Sequence, residues 1–101
     1  MVESNINLEN IIANGALIID VRTAEEYKEG HIEGSLNIPL DEINEAMSWL
    51  VKDVPAVIVC ASGSRSEQAV KILKSNGFEK IYNGGSWNNF GNIKVGACPI
   101  K

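Results

Sequence analysis

VIVCASGSRSEQAV, residues 57–70, joins an apolar strand to a helix through a loop of small residues. Residues 56–59 are continuously apolar, which is typical of a strand buried on both faces of a parallel sheet. Residues 66–76 have apolar side chains at helical spacing, and Gly77 is suited to end that helix. Cys60 therefore lies where a buried strand ends and a loop begins.

The rest of the chain continues the alternation of strands and helices, which predicts an α/β fold with a parallel sheet covered by helices. The 101 residues are expected to form one domain over residues 1–101. In order, we predict a helix over residues 7–13, a strand over 16–21, a helix from a capping box of Thr23 and Glu26 to Gly30, a strand over 35–38, a helix capped by Asp41, and a strand over 80–83.

Composition excludes several classes of function. A net charge of −4 argues against a nucleic-acid partner, and no apolar run is long enough to span a membrane. The acidic, polar N-terminus does not resemble a secretory signal, so we expect a cytoplasmic protein. Two cysteines are too few for a disulfide scaffold, and His31 has no partner at metal-ligand spacing, so we expect no metal site.

Charge is unevenly distributed along the chain. Of 13 acidic and 9 basic side chains, residues 1–53 carry 11 and 3, so the half that contains Cys60 is net positive. This distribution favours a small anionic substrate.

The loop after Cys60 is suited to bind an anion. Gly63 can adopt positive φ, which lets successive backbone N–H groups point inward. The helix that follows adds a partial positive charge at its N-terminus, and Arg65 adds a permanent cation. These features predict a lowered pKa for the Cys60 thiol, and the hydroxyls of the loop serines can donate further hydrogen bonds.

No general base accompanies Cys60. His31 is distant in sequence and is expected to have a structural role, so nucleophilic attack must begin from a preformed thiolate. The group that forms on sulfur should be anionic, because the loop stabilises negative charge. A cysteine persulfide and a phosphocysteine both satisfy this condition.

Three motifs in sequence order resemble those of single-domain rhodaneses. LIIDVRTAEEYKEGHIEGSLNIPL, residues 17–40, is similar to the N-terminal signature of that family. VIVCASGSRS resembles its active-site loop, and IYNGGSW, residues 81–87, resembles its C-terminal glycine element. The resemblance implies a three-layer α/β domain with a central five-stranded parallel sheet flanked by helices.

The resemblance also implies sulfane-sulfur transfer through a persulfide on Cys60, without a metal or organic cofactor. From Cys60 to Arg65 the loop has six residues, a length that goes with sulfur in this family, whereas phosphatase and arsenate-reductase relatives have one residue more. The persulfide is expected to be held by Ala61, Ser62, Gly63, Ser64 and Arg65, with support from Asp20, Arg22 and Ser66.

We therefore expect a sulfurtransferase with a small anionic donor such as thiosulfate, a thiophilic acceptor such as cyanide or a thiol, and a sulfur-relay protein as a further partner. A non-catalytic persulfide carrier is the alternative, and a small phosphatase or arsenate reductase is disfavoured by the loop length. Ala61 stands where many relatives that use thiosulfate have a basic residue, which weakens the case for thiosulfate. Cys98 can resolve a persulfide as a disulfide, but is more simply an incidental thiol.

Overall fold

A computed structural model of the protein describes residues 8–90. Four strands alternate with helices, as the sequence predicts. The strands are β1 (Leu17–Asp20), β2 (Leu36–Asn37), β3 (Ala56–Cys60) and β4 (Ile81–Ser86), and the helices are α1 (Leu8–Ala13), α2 (Ala24–Glu29), α3 (Ile43–Ala46) and α4 (Ser64–Ser75).

The sheet has the order β2-β1-β3-β4, and every neighbouring pair is parallel. The resemblance implied five strands, whereas the described residues form four. The described segment before β1 is helix α1, so it adds no strand. Between β3 and β4 the register shifts by one residue, since Ile58 is opposite Asn83 and Val59 is opposite Gly85. This β-bulge leaves Gly84 unpaired beside the end of β3.

Local signals in the sequence correctly predict the start of α2 and the end of α4. At the start of α2, the Glu26 amide donates to Thr23 Oγ1 and the Thr23 amide donates to Glu26 Oε1, which is the expected capping box. At the end of α4, Gly77 has φ of 94° and the Phe78 amide donates to the Leu73 carbonyl at 3.1 Å. This Schellman arrangement satisfies carbonyls that the helix leaves without partners.

Two predicted helix starts were wrong. Asp41 does not cap a helix, because Pro39 leads into a 3₁₀ turn over Leu40–Glu42 and α3 begins only after it. Helix α4 begins at Ser64 rather than at Ser66. Gly63 acts as its N-cap residue with φ of 105°, and its carbonyl already accepts a bond from the Glu67 amide. The last residues of the predicted loop are therefore the first residues of the helix.

The sheet is buried on both faces. One apolar cluster joins Ile58 and Cys60 of β3 to Ala69 and Leu73 of α4. The other joins Val57 and Val59 of β3 to residues of other elements, including Ile12 of α1. Alternate side chains of β3 therefore point to opposite layers, and Cys60 lies on the α4 side. Within residues 8–90, no helix is long and apolar enough to cross a membrane.

Candidate active site

Cys60 is the last residue of β3, at the edge of the sheet where parallel strands present their carboxyl ends. Its side chain is fully buried. The Gly63 amide donates a hydrogen bond to Sγ at 2.9 Å, and the Ser66 amide donates another at 3.4 Å. Both contacts require the loop to turn back over its own start, which the positive φ of Gly63 permits.

The environment of Sγ stabilises negative charge. Burial by itself raises the pKa of the Cys60 thiol, since it disfavours the thiolate. The contacts of Sγ with the amide and the side chain of Ser66, and hydrogen bonds from the Gly63 and Ser62 amides, together outweigh burial and hold the pKa of Cys60 below its ordinary value. The site can therefore supply a thiolate without a neighbouring base.

The residues expected to hold the persulfide contribute in different ways. The side chains of Ala61, Ser62 and Ser64 are exposed, so it is backbone N–H groups of the loop that face sulfur. Ser66, expected only as a supporting residue, is fully buried and brings both its amide and its hydroxyl to Sγ, with Oγ at 3.6 Å. This contribution follows from the early start of α4, which places Ser66 in the first turn of the helix.

Arg65 lies at the loop, but its guanidinium group is engaged by an acid. Nη1 and Nη2 donate to the two carboxylate oxygens of Glu26 at 2.9 and 3.1 Å. This forked pair lowers the pKa of Glu26 to about 2 and raises the pKa of Arg65. The cation expected to contact an anionic ligand is thus neutralised by a residue from α2. Sequence reasoning assigned Glu26 only to the helix cap.

Asp20 and Arg22 form the ion pair expected at the end of β1. Arg22 Nη2 lies 2.8 Å from Asp20 Oδ2 and donates to the Gly30 carbonyl at 2.7 Å. The Trp87 ring covers the guanidinium group at 4.6 Å. The pair thus joins the loop after β1 to the residues that follow β4. Its role in supporting the active site stays a prediction.

Asn83 is a further residue of the site that was not identified from the sequence. Its Oδ1 accepts a bond from the Gly85 amide at 2.9 Å and a bond from Ser66 Oγ at 2.7 Å. Gly85 Cα lies 3.6 Å from the position that a Cβ on Gly63 would take. The glycine element therefore packs directly on the loop that follows Cys60. The one signal in the sequence was a polar residue immediately before two glycines.

A cavity of about 260 Å³ opens beside the loop, at the same edge of the sheet. Arg65 and Asp41 give it one cationic and one acidic side chain, and the rest of its wall is mainly apolar. Its lining comprises Val21, Thr23, Pro39, Leu40, Asp41 and Arg65. This cavity is a candidate approach for a second reactant.

His31, which was considered from the sequence, has its contacts with α2 rather than with Sγ. His31 stacks on Tyr27 with ring centroids 3.7 Å apart, and its Nδ1 lies 2.7 Å from the Tyr27 carbonyl oxygen. These contacts agree with the expected structural role. Cys98 lies outside the described residues.

Comparisons with known proteins agree with the motifs. The family described as Rhodanese-like domain matches residues 4–92. The chain is 35% identical over 79 residues to the thiosulfate sulfurtransferase PspE of Escherichia coli (strain K12), covering 76% of each protein. It is 42% identical over 66 residues to the candidate sulfur carrier protein YrkF of Bacillus subtilis (strain 168), covering 65% of this chain but only 36% of YrkF. Whole-protein properties of YrkF therefore do not transfer directly.

Solved structures show the same fold. An E. coli structure described as rhodanese with anions superposes with a TM-score of 0.71 at 33% identity, covering 82% of this chain and all of the other. A rhodanese-like domain protein from Staphylococcus aureus gives a TM-score of 0.72 at 31% identity and covers 89% of this chain and 92% of its own.

Proposed function

The chain belongs to the rhodanese-like domain family, and on this premise we propose that it is a sulfurtransferase that carries a sulfane sulfur as a persulfide on Cys60. The donor is thiosulfate or another persulfide, and the acceptor is cyanide or a thiol. The persulfide is held by backbone N–H groups of the loop from Ala61 to Arg65 and by Ser66.

The chemistry has two displacement steps. The Cys60 thiolate attacks the outer sulfur of thiosulfate, the S–S bond breaks, and sulfite leaves with the bonding electrons. Cys60 then carries an outer sulfur with the negative charge. In the second step, cyanide or a thiolate attacks that outer sulfur and Cys60 leaves as a thiolate, so that thiocyanate or a new persulfide forms. Each step conserves charge, so neither needs a proton donor or a redox partner.

The observation that carries this proposal is the convergence of N–H donors on Sγ in a fully buried setting. The contacts from Gly63 and Ser66 stabilise the thiolate charge on Sγ, which is present before Cys60 accepts the outer sulfur and again after Cys60 has passed it on. A general base is unnecessary, because the hydrogen bonds already favour the thiolate.

A persulfide carrier is the second candidate, and the charges at the loop favour it over efficient use of thiosulfate. Arg65 is paired with Glu26, Arg22 is paired with Asp20, and Ala61 provides no cation. A dianionic donor therefore meets little uncompensated positive charge among the described residues near Cys60. If the protein is a carrier, a sulfur-relay protein delivers the sulfane sulfur to Cys60 or removes it, and turnover on small donors is negligible. The reducing conditions of the cytoplasm, where we place the protein, would keep Cys60 available.

The test is the mass of the intact protein after exposure to a donor. Reduced protein is incubated separately with thiosulfate and with glutathione persulfide, freed of reagent, and measured before and after addition of cyanide. Cys60→Ser is the test variant, and Cys98→Ser is the matched control that also removes one thiol.

The proposal predicts a gain of one sulfur atom that cyanide removes, which is absent in Cys60→Ser and retained in Cys98→Ser. Rapid cycling on thiosulfate supports the enzyme, whereas loading by the organic persulfide with negligible turnover supports the carrier. A gain that persists in Cys60→Ser contradicts both. Hydrolysis of an aryl phosphate without any gain of sulfur would instead indicate a phosphatase.

A further inference from the structure

The hydroxyl of Ser66 lies between the nucleophile and the glycine element. Its oxygen is 3.6 Å from Cys60 Sγ, 2.9 Å from the Gly63 carbonyl oxygen and 2.7 Å from Asn83 Oδ1. A hydroxyl group has one proton to donate, so these three acceptors compete for it. Asn83 Oδ1 is the nearest of the three.

The orientation of the Asn83 amide is determined by its second contact. The Gly85 amide N–H donates to the same oxygen at 2.9 Å, so oxygen rather than nitrogen must face Ser66. Gly85 is in turn held by its pairing with Val59 across the β-bulge. The Asn83 oxygen is thus a positioned acceptor rather than a freely rotating one.

The two protonation states of Cys60 use this chain of contacts differently. When Cys60 is a thiol, Sγ–H donates to Ser66 Oγ, and Ser66 donates to Asn83, so every proton has an acceptor. When Cys60 is a thiolate, the Ser66 hydroxyl stabilises sulfur only if it turns away from Asn83. Asn83 therefore opposes the stabilisation that the backbone N–H groups provide.

We propose that Asn83 is a positioning residue that acts on Cys60 through Ser66: its carboxamide oxygen holds the hydroxyl proton and shifts the nucleophile toward the thiol. This inference rests on the proposed role of Cys60 as the nucleophile. Its value to the reaction follows from the behaviour of thiols, since intrinsic nucleophilicity falls with pKa and the best attacking thiol has a pKa near the ambient pH. Without Asn83, the Ser66 hydroxyl would add to the hydrogen bonds from the backbone N–H groups, lower the pKa of Cys60 further and make its thiolate a weaker nucleophile.

Other charges also face this region and must stay constant in any test. Arg65 of α4 interacts with Cys60 and is paired with Glu26 of α2, while Asp20 at the end of β1 is paired with Arg22. None of these side chains is altered by a change at Asn83 or Ser66. A double-mutant cycle between Asn83 and Ser66 therefore isolates the effect that Asn83 has on Cys60 through Ser66.

The experiment measures alkylation of Cys60 by iodoacetamide as a function of pH in the full-length protein. Tryptic peptide 53–65 contains Cys60 but not Cys98, so mass spectrometry follows Cys60 alone. The proteins compared are the wild type, Asn83→Ala, Ser66→Ala and the double variant. No sulfur donor is involved, so the result is independent of whether sulfur transfer itself is demonstrated.

In Asn83→Ala the midpoint of the pH profile should move to lower pH. Below the midpoint the rate should rise roughly two- to fourfold, and the plateau should fall roughly two- to threefold, as expected for one hydrogen bond of ordinary strength and a weaker nucleophile. In the Ser66→Ala background the same substitution should leave the profile unchanged. Asn83→Leu, which keeps a similar side-chain volume without an acceptor or a charge, should move the midpoint in the same direction as Asn83→Ala, and Ser66→Ala should remove most of that shift.

Asn37→Ala is the matched control, since Asn37 is also a half-buried asparagine in a strand and its amide donates to the carbonyls of Asp20 and Arg22. It should lower thermal stability without moving the Cys60 profile. The proposal is overturned if Asn83→Ala only lowers stability, or if its effect on alkylation persists in Ser66→Ala. If Asn83→Ala does not fold, the Asn83→Leu cycle decides by the same criterion.

Discussion

Two arginine–carboxylate pairs lie near the edge of the sheet where β3 ends at Cys60, and they differ in burial. Arg22 and Asp20 are two positions apart in the chain, with side chains only 5% and 0% exposed. Arg65 and Glu26 are far apart in sequence, with side chains 32% and 39% exposed. Both arginines approach their carboxylate with two nitrogens, so geometry alone does not distinguish the pairs.

Burial determines what each pair can do. Separating the first pair would leave a charge in a low-dielectric interior, so it is part of the permanent framework. The second pair faces solvent, where water and salt compensate a separated charge. Its arginine is therefore the one that can exchange a carboxylate for an anionic ligand near Cys60.

The largest expected effect is on stability, from Asp20→Ala. This substitution leaves Arg22 buried without its partner and should lower the free energy of unfolding by about 3–5 kcal/mol. Urea unfolding of Asp20→Ala and Glu26→Ala measures the contrast, and the Glu26 variant should be much less affected. Equal losses in the two variants would remove the distinction between a buried and an exposed pair.

A smaller effect is expected on activity, from Glu26→Gln. Releasing Arg65 from its carboxylate should favour a dianionic donor, and the KM for thiosulfate should fall roughly two- to fivefold, the range for one exposed ion pair. Glu67→Gln is the matched control, because it removes the same charge from an exposed pair with Lys71. If both variants change KM equally, the cause is net charge rather than Arg65.

The smallest effect is on the pH dependence of stability. The pKa of Glu26 is lowered from 4.5 to about 2 in the folded protein, mainly by its bond to Arg65. A carboxyl with a lowered folded-state pKa stabilises the protein fully above pH 4.5, and this contribution is lost as pH falls from 4.5 to 2. The difference in Tm between wild type and Glu26→Gln should therefore be constant from pH 5 to 7 and shrink toward pH 2. A difference that stays constant down to pH 2 would show that Glu26 is not paired in solution.

Local features of the structure were predictable where a short stretch of sequence contains both partners. The capping box of Thr23 and Glu26, the glycine end of α4 and the burial of β3 are examples, since their hydrogen bonds or apolar patterns span only a few residues. The start of α4 was misplaced by two residues because the conformation of Gly63, rather than a side-chain cap, begins the helix. Asp41 failed as a cap because Pro39 directs the chain into a 3₁₀ turn first.

The sequence by itself determined the α/β alternation, the position of Cys60 at a strand end and the return of loop N–H groups toward Cys60 Sγ. It did so because backbone conformation and helix polarity depend on neighbouring residues. Only the tertiary structure decided that Glu26 neutralises Arg65 and that Asn83 contacts Ser66. These contacts join residues 39 and 17 positions apart, and they exist because the parallel sheet brings α2, which follows β1, and the bulged part of β4 next to the start of α4, which follows β3.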